Sequence, residues 1–126
     1  MAVSILKQGS VLIASLQAGL SDEELVELRE ALANEVGRVR SRGVIIDVAA
    51  LDVLDSFASR TLRSIALTSQ LRGVTTVVVG IQPEVAFAMV QLGLALDGVT
   101  TALDLEEGLE RLAQLRAAHV RSTYDG

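Results

Sequence analysis

Apolar positions along this chain alternate between two spacings. Short unbroken runs of Val and Ile give way to stretches in which apolar residues return every three or four positions. The first spacing predicts buried strands and the second amphipathic helices. Ser4 to Lys7 and Ser10 to Leu16 read as two strands separated by a turn at Gln8-Gly9. Ser21-Asp22-Glu23-Glu24 is a capping-box signature, in which the serine bonds the amide three residues on and Glu24 reaches back. The helix it opens carries Leu25, Leu28, Leu32, Val36 and Val39 on one face and is expected to end near Arg42-Gly43. A strand over Val44 to Val48 follows. A second helix runs from about Ser56 to Leu71, closed by Arg72-Gly73. Thr75 to Val79 is β-branched throughout, as a buried parallel strand would be. Pro83 stands where a first helical position is expected, with that helix reaching about Leu92 and stopping at Gly93. A short strand over Val99 to Ala102 precedes a last helix capped by Asp104. Its acidic first turn, Glu106 and Glu107, complements the helix dipole.

Strands alternating with helices of this length predict an α/β fold with a mostly parallel sheet. The adjacent opening strands add an antiparallel pair, giving a mixed sheet of about five strands with four helices. The 126 residues suffice for one domain. We expect it to span 1–118, followed by a polar, frayed tail over 119–126.

Composition narrows the function. Half of the residues are hydrophobic but only 2% are aromatic, so the core is built from Leu, Val, Ile and Ala. No apolar stretch approaches the roughly 20 residues of a membrane span. The start of the chain shows no signal pattern, and cysteine is absent, which excludes disulfides and thiolate metal sites. Cytoplasmic is the default expectation. The net charge is −5, and the eleven Lys and Arg form no basic stripe in sequence, against a nucleic-acid partner.

The candidate chemistry lies at Asp52-Val53-Leu54-Asp55-Ser56-Phe57-Ala58, where a buried strand feeds an amphipathic helix. Ser56 falls at a helix N-terminus, where unpaired amides and the positive dipole end favour an anion. Asp52 and Asp55 share that corner. A hydroxyl so placed is either a helix cap or a phosphoacceptor, and the corner alone leaves both open.

Three stretches resemble the STAS domain of anti-sigma-factor antagonists. They are Gly43-Val44-Ile45-Ile46-Asp47-Val48 leading into Asp55-Ser56-Phe57, then Gly80-Ile81-Gln82-Pro83-Glu84-Val85-Ala86, then Thr101-Ala102-Leu103-Asp104-Leu105-Glu106-Glu107-Gly108-Leu109. The resemblance runs from about residue 4 to 115 and is closer to the stressosome scaffold members, the RsbS type. It implies a non-enzymatic protein without a cofactor, phosphorylated at Ser56 by an RsbT-type serine kinase and reset by an RsbX-type phosphatase. It also implies homo- and hetero-oligomers with RsbR-type STAS proteins. A solitary anti-sigma-factor antagonist, binding one switch kinase directly, is the alternative.

On this reading Asp52, Asp55, Phe57 and Arg60 form the surroundings of the phosphosite, with Ser59 and Ser64 as further hydroxyls on the same helix. Added phosphate brings about −1.5 to −2 charges to a corner already holding two carboxylates. The helix amides and Arg60 accommodate it, while the charge disrupts a docked partner. The helix from Pro83 to Leu92 has Glu84 as its only charge. That leaves it either plain core or core plus partner surface, with Phe57, Pro83, Phe87 and Met89 as candidate contacts. Asp47, Asp52 and Asp55 raise a metal or receiver-type alternative. Receiver chemistry also needs a lysine after a later strand, and no lysine occurs after Lys7. His119 stands alone in the polar tail, without the convergent groups of a triad or zinc site.

Overall fold

Alternate residues of the central strands feed two separate apolar clusters. Leu12, Ala14 and Leu16 join Val44, Ile46 and Val78 in one cluster, while Ile13, Ile45, Val77 and Val79 belong to the other. A strand buried on both faces needs apolar residues at every position, which is why these segments read as unbroken runs. The computed structural model describes residues 3–125, and the side chains of 3–117.

The elements are β1 (Val3–Gln8), β2 (Val11–Leu16), α1 (Asp22–Arg38), β3 (Gly43–Asp47), α2 (Ser56–Leu71), β4 (Thr75–Val79), α3 (Pro83–Gln91), β5 (Thr100–Ala102) and α4 (Leu105–Asp125). They form one five-stranded sheet in the order β1-β2-β3-β4-β5. β1 is antiparallel to β2, with Ile5 opposite Ala14, and every later pair is parallel. The sheet grows steadily in one direction, so successive right-handed crossovers put their helices on one face. Leu25, Leu28 and Leu32 of α1, Leu62 and Ile65 of α2, and Val85 and Met89 of α3 accordingly share the first cluster. α4 covers the other face through Leu105, Leu109 and Leu112. Gly108 brings it close, since a Cβ there would lie 2.6 Å from Val79 Cγ1.

The α/β class, the mixed sheet and the four helices are as expected. The helix ends show where local signals sufficed. The Ser21 capping box is present in full, with Glu24 N donating to Ser21 Oγ and Ser21 N to Glu24 Oε1, both at 3.1 Å. α2 closes on Gly73 at φ +80, where Val74 N returns to Ser69 O at 2.9 Å. α1, expected to continue to Arg42-Gly43, ends earlier. Arg40 takes φ 50, and Ser41 N reaches back to Val36 O at 3.2 Å, the same closing bond made without a glycine. α4 continues through Asp125. The side chain of His119 lies outside those described.

Candidate functional site

All parallel strands end at the same edge of the sheet, and each is followed there by a helix start. The loop between β3 and α2 is held by apolar plugs: Leu51 and Leu54 are buried at 6% and 5%, leaving Asp52 and Val53 exposed between them. Neighbouring loops pin it further. Val48 N donates to Val79 O at 3.0 Å, and Gln82 Nε2 donates to Ala49 O at 2.7 Å. Gly80, at φ +84, lies so close that a Cβ there would sit 2.9 Å from Ala49 Cβ. The Gly-Ile-Gln-Pro stretch therefore buttresses the Asp-Ser corner through a glycine that admits the loop and a glutamine that bonds it.

At the corner, the cap of α2 is Asp55. Its backbone is extended (φ −76, ψ −178), and Oδ1 accepts from Ala58 N at 2.8 Å. Ser56 is the first residue of the helix, exposed, and its hydroxyl makes no hydrogen bond among the described residues. The capping alternative for Ser56 is thereby corrected. A neighbouring carboxylate does that job because it sits one residue earlier, on the extended backbone from which a side chain can reach the third amide. The Ser56 hydroxyl is left facing solvent.

The other expected residues separate by burial. Arg60 is exposed one turn beyond Ser56, and Phe57 is half-buried against the first core cluster. Ser59 is 4% exposed with no partner for its hydroxyl, and Ser64 is half-buried. Of the three serines, Ser56 is the exposed one. Asp47 Oδ1 accepts from Ala49 N at 2.9 Å, a turn role that uses the carboxylate locally. Among the described residues no group of three or more acidic or histidine side chains is arranged to hold a metal ion.

α3 sorts the candidate contacts. Met89 is 5% exposed and Val85 4%, so Met89 belongs to the core and leaves the set of surface contacts. Phe87 and Val90 are 72% and 73% exposed, and Pro83 is also exposed. Sequence reading missed Val90 and the exposed Val53. An outward Val at a loop tip, between two Asp residues, was the available signal. No described helix is long and apolar enough to cross a membrane.

Comparison with known proteins places this arrangement. RsbS from Moorella thermoacetica, solved as a variant with serine changed to glutamate, is 34% identical with a TM-score of 0.80. The match covers 93% of this chain and 99% of that one. A chain of a solved stressosome, described as a signal integration and transduction hub, is 33% identical with a TM-score of 0.73, covering 90% and 98%. In sequence, the RsbT co-antagonist protein RsbRA of Bacillus subtilis is 26% identical over 106 residues. Those residues are 84% of this chain but 39% of RsbRA, so the chain spans well under half of that relative. The family pattern of the STAS domain matches residues 2–108. With that span, and with a relative 34% identical along almost its whole length, the chain belongs to the STAS domain family.

Proposed function

We propose that this STAS domain is a non-enzymatic, phosphorylation-controlled scaffold of a stressosome-type assembly. Ser56 is the switch, phosphorylated by an RsbT-type serine kinase that is thereby released, and an RsbX-type phosphatase resets it. RsbR-type STAS proteins are its assembly partners. The observation that carries this reading is the free, exposed Ser56 hydroxyl on the first turn of a helix already capped by Asp55. The end-to-end likeness to RsbS and to a stressosome chain supports the scaffold role.

The physics of the switch is local. Phosphate at Ser56 adds about −1.5 to −2 charges beside Asp52 and Asp55. The dipole end of α2 offers roughly half a positive charge in return, so the corner becomes more negative on balance. Asp55 already holds the Ala58 amide, so the fold does not depend on Ser56 in either state. Phosphorylation then changes what docks without unfolding what docks it.

The test is intact-mass and fragment-ion analysis after incubation with ATP and an RsbT-type kinase, for wild type and Ser56→Ala. One phosphate gained by wild type and none by the variant is the expected result. Transfer unaffected by the substitution would overturn the reading. Particle size with an RsbR-type partner then tests the scaffold: large particles are expected, and a small complex would instead indicate a solitary antagonist.

A further inference from the structure

The opposite edge of the sheet, at the start of the parallel strands, holds an open groove of about 900 Å³. It runs between the C-terminal ends of α1 and α2 and the flank of α4. Among the described residues, four guanidiniums line it, those of Arg40, Arg42, Arg72 and Arg116, and no acidic side chain does. Two of them have structural work. Arg72 Nη1 donates to Ala33 O at 2.7 Å, and Arg116 Nη1 contacts Ser10 Oγ at 3.4 Å. Arg40 and Arg42 make no side-chain hydrogen bond or ion pair among the described residues. Nearby Arg38 is already taken by Glu35 at 2.8 Å.

Arginines at helix C-termini are expected, because they offset the dipole, and the magnitudes decide whether that explains them here. Two helix ends supply about half a negative charge each, against four guanidiniums. The groove keeps a surplus of roughly three positive charges in a chain whose net charge is −5. Arg40, the one non-glycine with positive φ among the described residues, closes α1 and lines the groove.

The floor is apolar. Val11, Leu109 and Leu112 lie under the arginine rim, and Gly43 lets Leu112 rest against β3, since a Cβ there would sit 2.9 Å from Leu112 Cδ1. Lone phosphate would fill a small part of this space, whose volume is in the range of sites for small organic ligands, about 300–1,000 Å³. Guanidinium forks match phosphate oxygens in pairs. We infer that this groove binds an organic phosphate, with two or more negative charges held by Arg40 and Arg42 and an apolar body on the Leu109–Leu112 floor. The site is remote from Ser56 and independent of the role given to that serine.

The test is titration of the ¹⁵N-labelled full chain with ADP, followed by amide shifts, with inorganic phosphate and adenosine as its two halves. ADP should move the amides of 37–43, 72–75 and 109–116 and bind at least about tenfold tighter than either half. The double variant Arg40→Gly, Arg42→Ser should weaken ADP by about tenfold or more while its melting temperature does not fall, because glycine accepts the Arg40 backbone. Shifts confined to the start of α2, equal binding of adenosine, or an unaffected double variant would each overturn the proposal. So would concentration-dependent shifts without ligand that join the groove to Asp52 and Asp55, which would assign it to the acidic end of a second copy.

Discussion

Two adjacent side chains at the start of α2 divide a task that either type can perform. Serine and aspartate are both strong caps, so composition does not choose between Asp55 and Ser56. The choice is made by burial of Leu54, which leaves Asp55 as the last extended residue and Ser56 as the first helical one. Asp55→Ala should therefore lower stability by about 1 kcal/mol, whereas Ser56→Ala should stay within about 0.5 kcal/mol. Urea unfolding separates them, and equal losses would return the cap to Ser56. Ser59, counted from sequence only as a further hydroxyl of the same helix, lies on the inner face with Leu62, Ala66 and Ser69. Arg40 was not legible, because nothing in Arg38-Val39-Arg40-Ser41 marks which residue turns left-handed. Arg40→Gly should raise stability by up to about 1 kcal/mol in the same unfolding measurement, by relieving that backbone. A loss instead would mean that the Arg40 side chain stabilises the helix end more than its backbone strains it.

Among the elements, α3 shows most plainly what periodicity leaves open. With Glu84 as its only charge, its residues carry no polar face from which to read the orientation. The sheet decides it, by presenting the first core cluster to Val85 and Met89 and leaving Phe87 and Val90 outside. Truncating Met89 to Ala should cost about 2–5 kcal/mol, the range for a buried large-to-small change. Phe87→Ala should alter stability by no more than about 0.5 kcal/mol, so thermal or urea unfolding distinguishes the two. If Phe87 meets a partner, its variant should instead show up as weakened assembly at unchanged stability. The loop before α3 is a different case, for Gly80 and Gln82 were visible as a motif while their task was not. It takes the adjacency of β3 and β4 to bring Gly80 against Ala49. Gly80→Ala faces both a positive φ and that contact. It should destabilise the fold by at least about 1 kcal/mol and shift the amide signals of 48–56. Unmoved signals there would mean that the two loops are mechanically separate.

At the scale of the whole molecule, helix direction and charge combine into a polarity that residue counts hide. Every helix after a parallel strand starts at the same edge, and their starts carry Asp22, Glu23 and Glu24, Asp55, Glu84, and Glu106 and Glu107. The guanidiniums of Arg40, Arg42, Arg72 and Arg116 gather at the other edge, so the −5 of the chain is unevenly spread between an acidic end and a basic one. Sequence reading found the acidic first turns one by one. It found no basic patch, because Arg40, Arg42, Arg72 and Arg116 come from three segments that only the fold assembles. Ser56 lies at the acidic end, so an enzyme that reaches its hydroxyl must bring a surface tolerant of, and best complementary to, that field. Encounter between complementary surfaces is accelerated by long-range attraction, which salt screens over about 10 Å at 0.1 M. Phosphate transfer to Ser56 by an RsbT-type kinase should therefore lose kcat/KM steeply between low and moderate salt while kcat changes little. The measurement is a salt series with subsaturating and saturating substrate, alongside Glu23→Gln and Asp52→Asn, each of which should flatten the dependence. A kcat/KM indifferent to salt would place the kinase approach on an apolar surface such as that of Phe87 and Val90, with the acidic end serving only to complement the helix dipoles.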